Sequence, residues 1–535
     1  MTITSSDEPS DGNRVPWYRT SVVYQIYPRS FADSDGDGVG DLPGITSRLD
    51  HLVRLGVDAL WTSPFYRSPM ADFGYDVADH CDVDATFGTL ADAEGMIRAA
   101  HDRGLRVVLD YVPNHVSDQH PWFVAARSSR DDPHRDWFVW RDPAPGDPVG
   151  AAPGPPPNNW RAAFGDRPAW TWDERTGQYY LHLFLPEQPD LDWNHPDVVE
   201  AMHGVLRFWL DRGVDGFRAD VVHCIGKDPS LPDLPDELAE LPAMLADFGE
   251  GTHEQLRAMR QLLDSYPGQR MVVGETYVLS PERMASYLGK GDELHLAFNF
   301  SAFHAPWDAA RWQEEVQKVE SLLEPIGGWP TWVLSNHDAP RHRTRLGSEA
   351  RARAAAVLLL ALRGTPFLYM GEELGLEDAV VPESRAVDPG GRDGCRAPIP
   401  WTRDPRADWG EDPWLPLADG AAERSVEAQT GDPTSMLEHY RRLLHLRRSV
   451  PALHRGDMEL LDAPEGVLRW RRSAAPGPGD DPAAPATVEV AVNFSSEPVG
   501  GAVSPGTVLG GTTLPGDAVE PGVLGPDEAR IVALG

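Results

Sequence analysis

Lysine is nearly absent from this chain: Lys227, Lys290 and Lys318 are the only three in 535 residues. Arginine carries the rest of the 48 basic charges, which 83 acidic residues outweigh to a net charge of -35. That balance argues against a nucleic acid or an anionic membrane as partner, because either would be repelled at long range, and it suits a neutral ligand. Cysteine is equally sparse. Cys81, Cys224 and Cys395 cannot all pair within the chain and have no metal-ligand spacing, which points to a reducing compartment rather than a disulfide scaffold. No apolar run approaches the roughly 20 residues needed to span a bilayer. The opening MTITSSDEPSDGNR has neither a basic nor an apolar leader segment. These absences lead us to expect a cytoplasmic protein, monomer or homodimer, acting on a small neutral substrate.

What is present is a large core and a repeating pattern. A hydrophobic content of 41% over 535 residues exceeds what one ordinary domain needs. Short apolar runs alternate with helical patterns: Val22–Pro28, Ala59–Pro64, Arg106–Val112, Gly216–Asp220, Met271–Thr276, His295–Phe300, Thr331–His337 and Thr365–Glu373. Eight such strands separated by helices predict a parallel (β/α)8 barrel of the TIM type. Ile45, Leu49, Leu52 and Leu55 recur at helical spacing, predicting one helix that Gly56 stops. Roughly a hundred residues separate the third strand from the fourth, too many for a structureless loop, so an inserted domain is expected over 116–190. The barrel then comprises 17–115 and 191–452. Met436, Tyr440, Leu443 and Leu444 predict a last helix, after which Val467–Arg472, Thr487–Phe494 and Ala529–Leu534 predict a C-terminal β-sandwich domain over 453–535, with a loop at 474–486.

Several of these strands end on chemistry. GFRAD (216–220) and VVGET (272–276) place Asp220 and Glu275 each at the carboxyl end of an apolar run. A pair of carboxylates, one attacking or stabilising the anomeric carbon and one protonating the leaving oxygen, is what glycoside hydrolysis requires. Arg218, two residues before Asp220, projects from the same face of the strand and favours its ionised form. DYVPNH (110–115) and LSNHD (334–338) bracket the pair. Taken alone, an aspartate after a strand is more often a cap or salt-bridge partner, and a lone histidine a satisfied structural residue.

In order and spacing these strings resemble the conserved regions of the alpha-amylase family, glycoside hydrolase family 13. QPDLDW (188–193) is similar to a string of its oligo-1,6-glucosidase and alpha-glucosidase branch. The resemblance implies Asp220 as nucleophile, Glu275 as general acid/base and Asp338 as a third carboxylate holding sugar hydroxyls. It implies that His115 and His337 hydrogen-bond the glucose and that Asp110 orients its neighbours. Asp72 and Tyr75, in DFGYD, are implied to hold the 4-hydroxyl and to stack under the ring, closing the pocket and making the action exo. The arginine partner of Asp72 is expected in GRDGCR as Arg392, with Arg396 as the alternative. Phe164 is either an aromatic wall or a packed core residue. Branch members more often carry Asn at the positions of Phe73 and Asp192.

DSDGDGVGD (33–41) alternates carboxylates around glycines, as a loop wrapping a hard cation does, although Gly44 at the twelfth position excludes an EF-hand. The resemblance implies Asp33, Asp35, Asp37 and Asp41 as side-chain ligands and the Val39 carbonyl as another, for a structural Ca2+ or Mg2+; a solvated acidic turn is the alternative. The expected activity is that of a retaining alpha-glucosidase releasing glucose from short alpha-linked oligosaccharides. Sucrose- or trehalose-acting hydrolysis, isomerisation or transglucosylation by the same apparatus is the nearest alternative. A non-catalytic sugar-binding or partner protein is disfavoured, because all three carboxylates are present. Val221, following the nucleophile, is implied by the resemblance to favour 1,6 linkages, whereas Phe73, Asp192 and His223 lie in motifs that depart from the 1,6-specific pattern.

Overall fold

The barrel strands form where the alternating pattern places them, and they are buried on both faces. The computed structural model describes residues 15–534 except 247, 279, 405, 411, 476, 478, 479 and 515–518. Its central sheet is built from β1 (Val23–Ile26), β2 (Ala59–Thr62), β3 (Arg106–Tyr111), β4 (Gly216–Ala219), β5 (Met271–Gly274), β6 (Leu296–Ala297), β7 (Thr331–Val333) and β8 (Thr365–Tyr369). These eight run parallel in the order β6-β5-β4-β3-β2-β1-β8-β7. The β6–β7 seam has no ladder among the described residues; the Thr331 hydroxyl donates across it to the Ala297 carbonyl at 2.6 Å. The result is a nearly closed barrel.

Alternation decides what each side of the strands meets. Val23, Ala59, Trp61, Val108, Val273, Leu296 and Phe367 pack together in one cluster inside the barrel. Tyr24, Leu60, Val107, Leu109, Phe217, Val272 and Leu368 face the surrounding helices. Asp110 and Arg218 therefore fall on the inner side, two and one residues along from Val108 and Phe217. The expected strands over His295–Phe300, Thr331–His337 and Thr365–Glu373 are shorter than the apolar runs. In β6 the cause is local: the Asn299 side chain accepts from Ala302 N at 3.3 Å and starts a helical turn at Phe300–Phe303. After β8, Gly371 at φ 84° turns the chain away.

The single helix expected over Ile45–Leu55 is two helices, Leu42–Ser47 and Leu49–Leu55. Arg48 breaks them, with φ -105° and ψ 3°. Ile45, Leu49, Leu52 and Leu55 are all buried, so the stripe survives the break. The periodicity reported the buried face and could not report the kink. Gly56 ends the second helix at φ 99°.

Within 116–190 lies a three-stranded antiparallel sheet, Trp140–Arg141, Gln178–Leu181 and Trp170–Asp173. Its Trp170, Tyr179 and Leu181 pack in one cluster with Val221 and Cys224, which joins the insertion to the loop after β4. The helix Met436–Ser449 buries Met436, Tyr440, Leu443 and Leu444. Beyond it a five-stranded antiparallel sheet orders Asp457–Leu460, Val467–Ser473, Thr487–Asn493, Ala529–Ala533 and Thr507–Gly511. Leu468, Trp470, Val490 and Ile531 join the barrel core from one face. Val467, Ala491 and Val532 on the other meet Leu524 of the ribbon Val499–Gly500/Val523–Leu524. The described part of 474–486 holds no helix; residues 476, 478 and 479 of that expected loop lie outside the described residues. Cys81, Cys224 and Cys395 are free thiols, and no helix among the described residues is long and apolar enough to cross a membrane.

Candidate active site

Ladder geometry puts two carboxylates side by side at the carboxyl end of the barrel, where such barrels carry their sites. Asp220 N donates to Tyr111 O and Glu275 N to Ala219 O, each at 2.8 Å, so both residues extend β4 and β5 by one step. Asp110 and Arg218 are register partners across β3 and β4. The Arg218 guanidinium, 3% exposed, binds all three acids. Its Nη1 donates to Asp220 Oδ1 at 2.7 Å and to Asp110 Oδ1 at 2.8 Å, and its Nη2 donates to Glu275 Oε2. Breaking a buried pair of this kind from one side costs about 3 to 5 kcal/mol, so the geometry is strongly held.

One cation among three buried carboxylates leaves the group short of positive charge. Burial raises the Asp220 carboxyl above its ordinary range; Arg218 pulls it back, and the charges of Glu275 and Asp110 push it up again. Burial likewise holds Asp110 up at about 6 against the pull of Arg218. Burial and the neighbouring acids thus hold both Asp110 and Asp220 above the ordinary carboxylate range.

A second charge cluster faces the first. Arg392 Nη2 donates to Asp72 Oδ1 at 2.6 Å and Arg392 Nη1 to Asp338 Oδ1 at 3.0 Å. Arg392, rather than Arg396, is the arginine that reaches Asp72; Arg396 pairs with Asp388 at 3.0 Å and Asp338 at 3.3 Å. Burial opposes ionisation of Asp338, yet the His337 ring and the Arg392 and Arg396 guanidinium groups hold it well below the usual carboxylate range.

Neutral donors and acceptors fill the space between. His337 stacks on Tyr75 at 5.4 Å and 7°. Its Nδ1 lies 2.7 Å from the Gln25 amide and its Nε2 lies 2.7 Å from the Tyr75 hydroxyl. Gln188 Nε2 reaches both Asp72 Oδ2 and His115 Nε2 at 3.1 Å. Burial lowers both His115 and His337 to about 3, so these rings are neutral hydrogen-bonding groups.

These residues enclose a cavity of about 320 Å³. Asp220, Glu275, Asp338, Asp72, Tyr75, His115, Phe164, Val221, His337 and Arg392 all line it, while Arg218 lies beneath the floor. Phe164 has both of the roles open to it: it lines the cavity, and it packs against Phe184 at 6.1 Å and under Arg392 at 5.1 Å. Val221 takes a left-handed backbone, φ 34°, and its N–H donates to Glu275 Oε2 at 3.2 Å.

The sequence motifs alone did not point to several other contributors. Asp388 accepts from Arg392 and Arg396, and only its spacing of four residues before Arg392 hinted at this. Gln188 stands inside the QPDLDW string, which by itself gives it no role. Met244, Leu245, Tyr277, Phe300 and Phe303 form an apolar outer wall. They come from loops after three different strands, so no local pattern joins them.

The acidic loop lies elsewhere. Carboxylate oxygens of Asp33, Asp35 and Asp37 come within 4.8 Å of one another. Asp33 also accepts from Gly36 N at 2.7 Å and Gly38 N at 2.9 Å, which shapes the loop. Asp41 stands apart from them, capping the helix Leu42–Ser47 by accepting from Gly44 N at 2.6 Å and accepting from the Ser34 hydroxyl at 2.8 Å. The carboxylate set brought together is thus Asp33, Asp35 and Asp37, without Asp41. Val39 N donates to Asp37 Oδ1 at 2.8 Å.

Comparison with known proteins places this geometry. A family model described as the alpha-amylase catalytic domain matches residues 25–456. A protein of Rhizobium meliloti (strain 1021) named "Probable alpha-glucosidase" is 42% identical over 490 residues, covering 85% of this chain and 87% of that protein. An oligo-1,6-glucosidase of Parageobacillus thermoglucosidasius is 37% identical, covering 85% and 88%. Among solved structures, that of an alpha-glucosyl transfer enzyme, XgtA, superposes with a TM-score of 0.87 at 40% identity, covering 97% of this chain and all of that one. The trehalulose synthase MutB, as an A258V mutant, gives 0.88 at 32% identity with the same coverage. With the barrel, the bridged carboxylates and a catalytic-domain match over most of its length, the chain belongs to the alpha-amylase family, glycoside hydrolase family 13.

Proposed function

We propose that the protein is a retaining, exo-acting alpha-glucosidase that releases glucose from the non-reducing ends of short alpha-linked oligosaccharides. The observation that carries this is the single guanidinium of Arg218 bridging Asp220 and Glu275 at the floor of the pocket. One planar group joining both acids favours the spacing of about 5 to 5.5 Å at which one carboxylate attacks directly, over the 6.5 to 9.5 Å that a water-activating pair needs.

Asp220 attacks the anomeric carbon while Glu275, as the general acid, protonates the departing oxygen. The transient positive charge on the sugar is stabilised by the ionised Asp338. Glu275, now a base, takes a proton from water, which displaces Asp220 from the glucosyl ester. Asp72 and Arg392 wall off the end of the pocket and leave room for one glucosyl unit; His115, His337 and Tyr75 hold it. Assay of isomaltose, maltose, sucrose and trehalose side by side with product analysis tests the reading. Isomerised or transferred products from sucrose in place of glucose would favour the second reading, supported by likeness to a trehalulose synthase and an alpha-glucosyl transfer enzyme. The free thiols support a cytoplasmic site of action.

Val221 sets a linkage preference in this reading. Its rigid branched side chain borders the aglycone, and a 1,6 bond has an extra rotatable carbon with which to swing clear. Isomaltose should be cleaved, and Val221→Ala should raise the ratio of maltose to isomaltose kcat/KM. A difference of one or two methyls is worth about 1 to 3 kcal/mol, a preference and not an exclusion. An unchanged or lower ratio in that variant would place linkage choice elsewhere.

Three carboxylates gathered on a glycine-turned loop suit a hard cation, and Asp33, Asp35 and Asp37 would hold a structural Ca2+ or Mg2+. Such an ion neutralises their mutual repulsion and takes no part in the chemistry. Chelator should lower the unfolding temperature while low-temperature activity changes little. Calcium at a hundredfold excess over its Kd should restore about 2.7 kcal/mol. A melting curve unmoved by chelator, from protein free of metal by elemental analysis, would remove the site.

A further inference from the structure

Phe73 occupies a backbone conformation that its side chain resists. Tyr75 N donates to Asp72 O at 3.1 Å and closes a tight turn whose central residues, Phe73 and Gly74, have φ of 47° and 109°. Positive φ at both central positions is the pattern of a type I′ turn, which Asn-Gly fills readily and a bulky residue does not. Gly74 meets that demand without cost; Phe73 stays left-handed only because its surroundings hold it there.

Those surroundings are specific. The Arg29 guanidinium lies 5.5 Å from the centre of the Phe73 ring and 5.4 Å from those of Phe87 and Trp414. Phe73 and Trp414 themselves meet at 5.5 Å. Trp414 is anchored from behind, its backbone N–H donating to Gly38 O and its Nε1 to Ser30 Oγ, each at 3.0 Å. Arg29 Nε makes no hydrogen bond among the described residues, and three aromatic faces surround the cation, on which the charges of Asp84 and Asp37 also act. Arg29 does not line the cavity. It bears on the site through Phe73, the residue after Asp72.

We propose that Arg29 is a positioning residue for Asp72. By clamping Phe73 against Trp414 it keeps the Asp72–Tyr75 turn left-handed, and so keeps the Asp72 carboxylate where Arg392 and Gln188 meet it. This rests on the proposed function, in which Asp72 holds a hydroxyl of the bound glucose.

The test is a double-mutant cycle of Arg29→Met and Phe73→Asn, with kcat and KM measured on 4-nitrophenyl α-glucoside and melting temperature followed alongside. In the parent, Arg29→Met should raise KM by roughly tenfold and change kcat by less than about threefold, because the reacting carboxylates are untouched. In the Phe73→Asn background the same change should move KM by less than about twofold, since Asn holds the left-handed form through its own local hydrogen bond and needs no clamp. An unchanged KM in Arg29→Met, or an equal penalty in both backgrounds, overturns the clamp. If Arg29→Met is unfolded at the assay temperature, Arg29→Lys, which keeps the charge on a smaller non-planar head, replaces it under the same criterion. Asp72→Ala separates the two levels. Undiminished kcat/KM there would remove the role given to Asp72 itself, whereas a crippled Asp72→Ala with a background-independent Arg29 penalty overturns only the clamp.

Discussion

Asp220→Asn is expected to lower kcat/KM on every α-glucoside by about 10⁴-fold or more, the scale on which loss of a nucleophile acts. The amide is nearly isosteric with the carboxylate and can still accept from Arg218, but it cannot form the glucosyl ester. The fold should survive. Asp110, Asp220 and Glu275 crowd around the single cation of Arg218, so replacing one acid by a neutral amide relieves repulsion in a buried set. The melting temperature should therefore be unchanged or higher. Kinetics with calorimetry on the same preparation check both halves. Near-normal oligosaccharide turnover by Asp220→Asn would end the assignment; lost turnover in an unfolded protein would say nothing for it, which is why the melting curve is part of the result.

Glu275→Gln should show a loss that depends on the leaving group. On maltose or isomaltose, whose departing alcohols need a proton, kcat/KM should fall by about 10² to 10⁴-fold, the usual worth of a positioned general acid. On 2,4-dinitrophenyl α-glucoside, whose phenolate departs unaided, formation of the glucosyl enzyme should be far less affected. Breakdown of that intermediate would be slow, since no base activates water, and a burst of phenolate should appear. Azide needs no general base and should restore turnover, giving α-glucosyl azide with the anomeric configuration retained. A β-azide product would exclude the double displacement through Asp220, and equal losses on both substrates would take the acid role from Glu275.

Much of the catalytic centre was legible because strand periodicity is local. Once GFRAD and VVGET are read as strands, Arg218 and Asp220 fall on one side by alternation, and parallel register brings Glu275 to the same height. The helix break at Arg48 was not legible, because a buried stripe looks the same whether one helix or two present it. Strands end before the apolar run does where that run continues into a capped turn, as at Asn299.

The linear order of residues determined by itself which acids close which strands, the eightfold alternation that makes a barrel, and the excess of negative charge. These are properties of neighbours a few residues apart, and backbone sterics translate them directly. Tertiary structure alone decided which of two arginines four residues apart meets Asp72, that Asp41 caps a helix outside the carboxylate cluster, and that Met244, Tyr277 and Phe300 share one wall. It also decided that Phe73, an ill-suited turn residue, lies beneath an arginine 44 positions away in the chain. Each of these depends on how separate loops close over the barrel's end, and that is set by packing between segments whose own sequences carry no record of their neighbours.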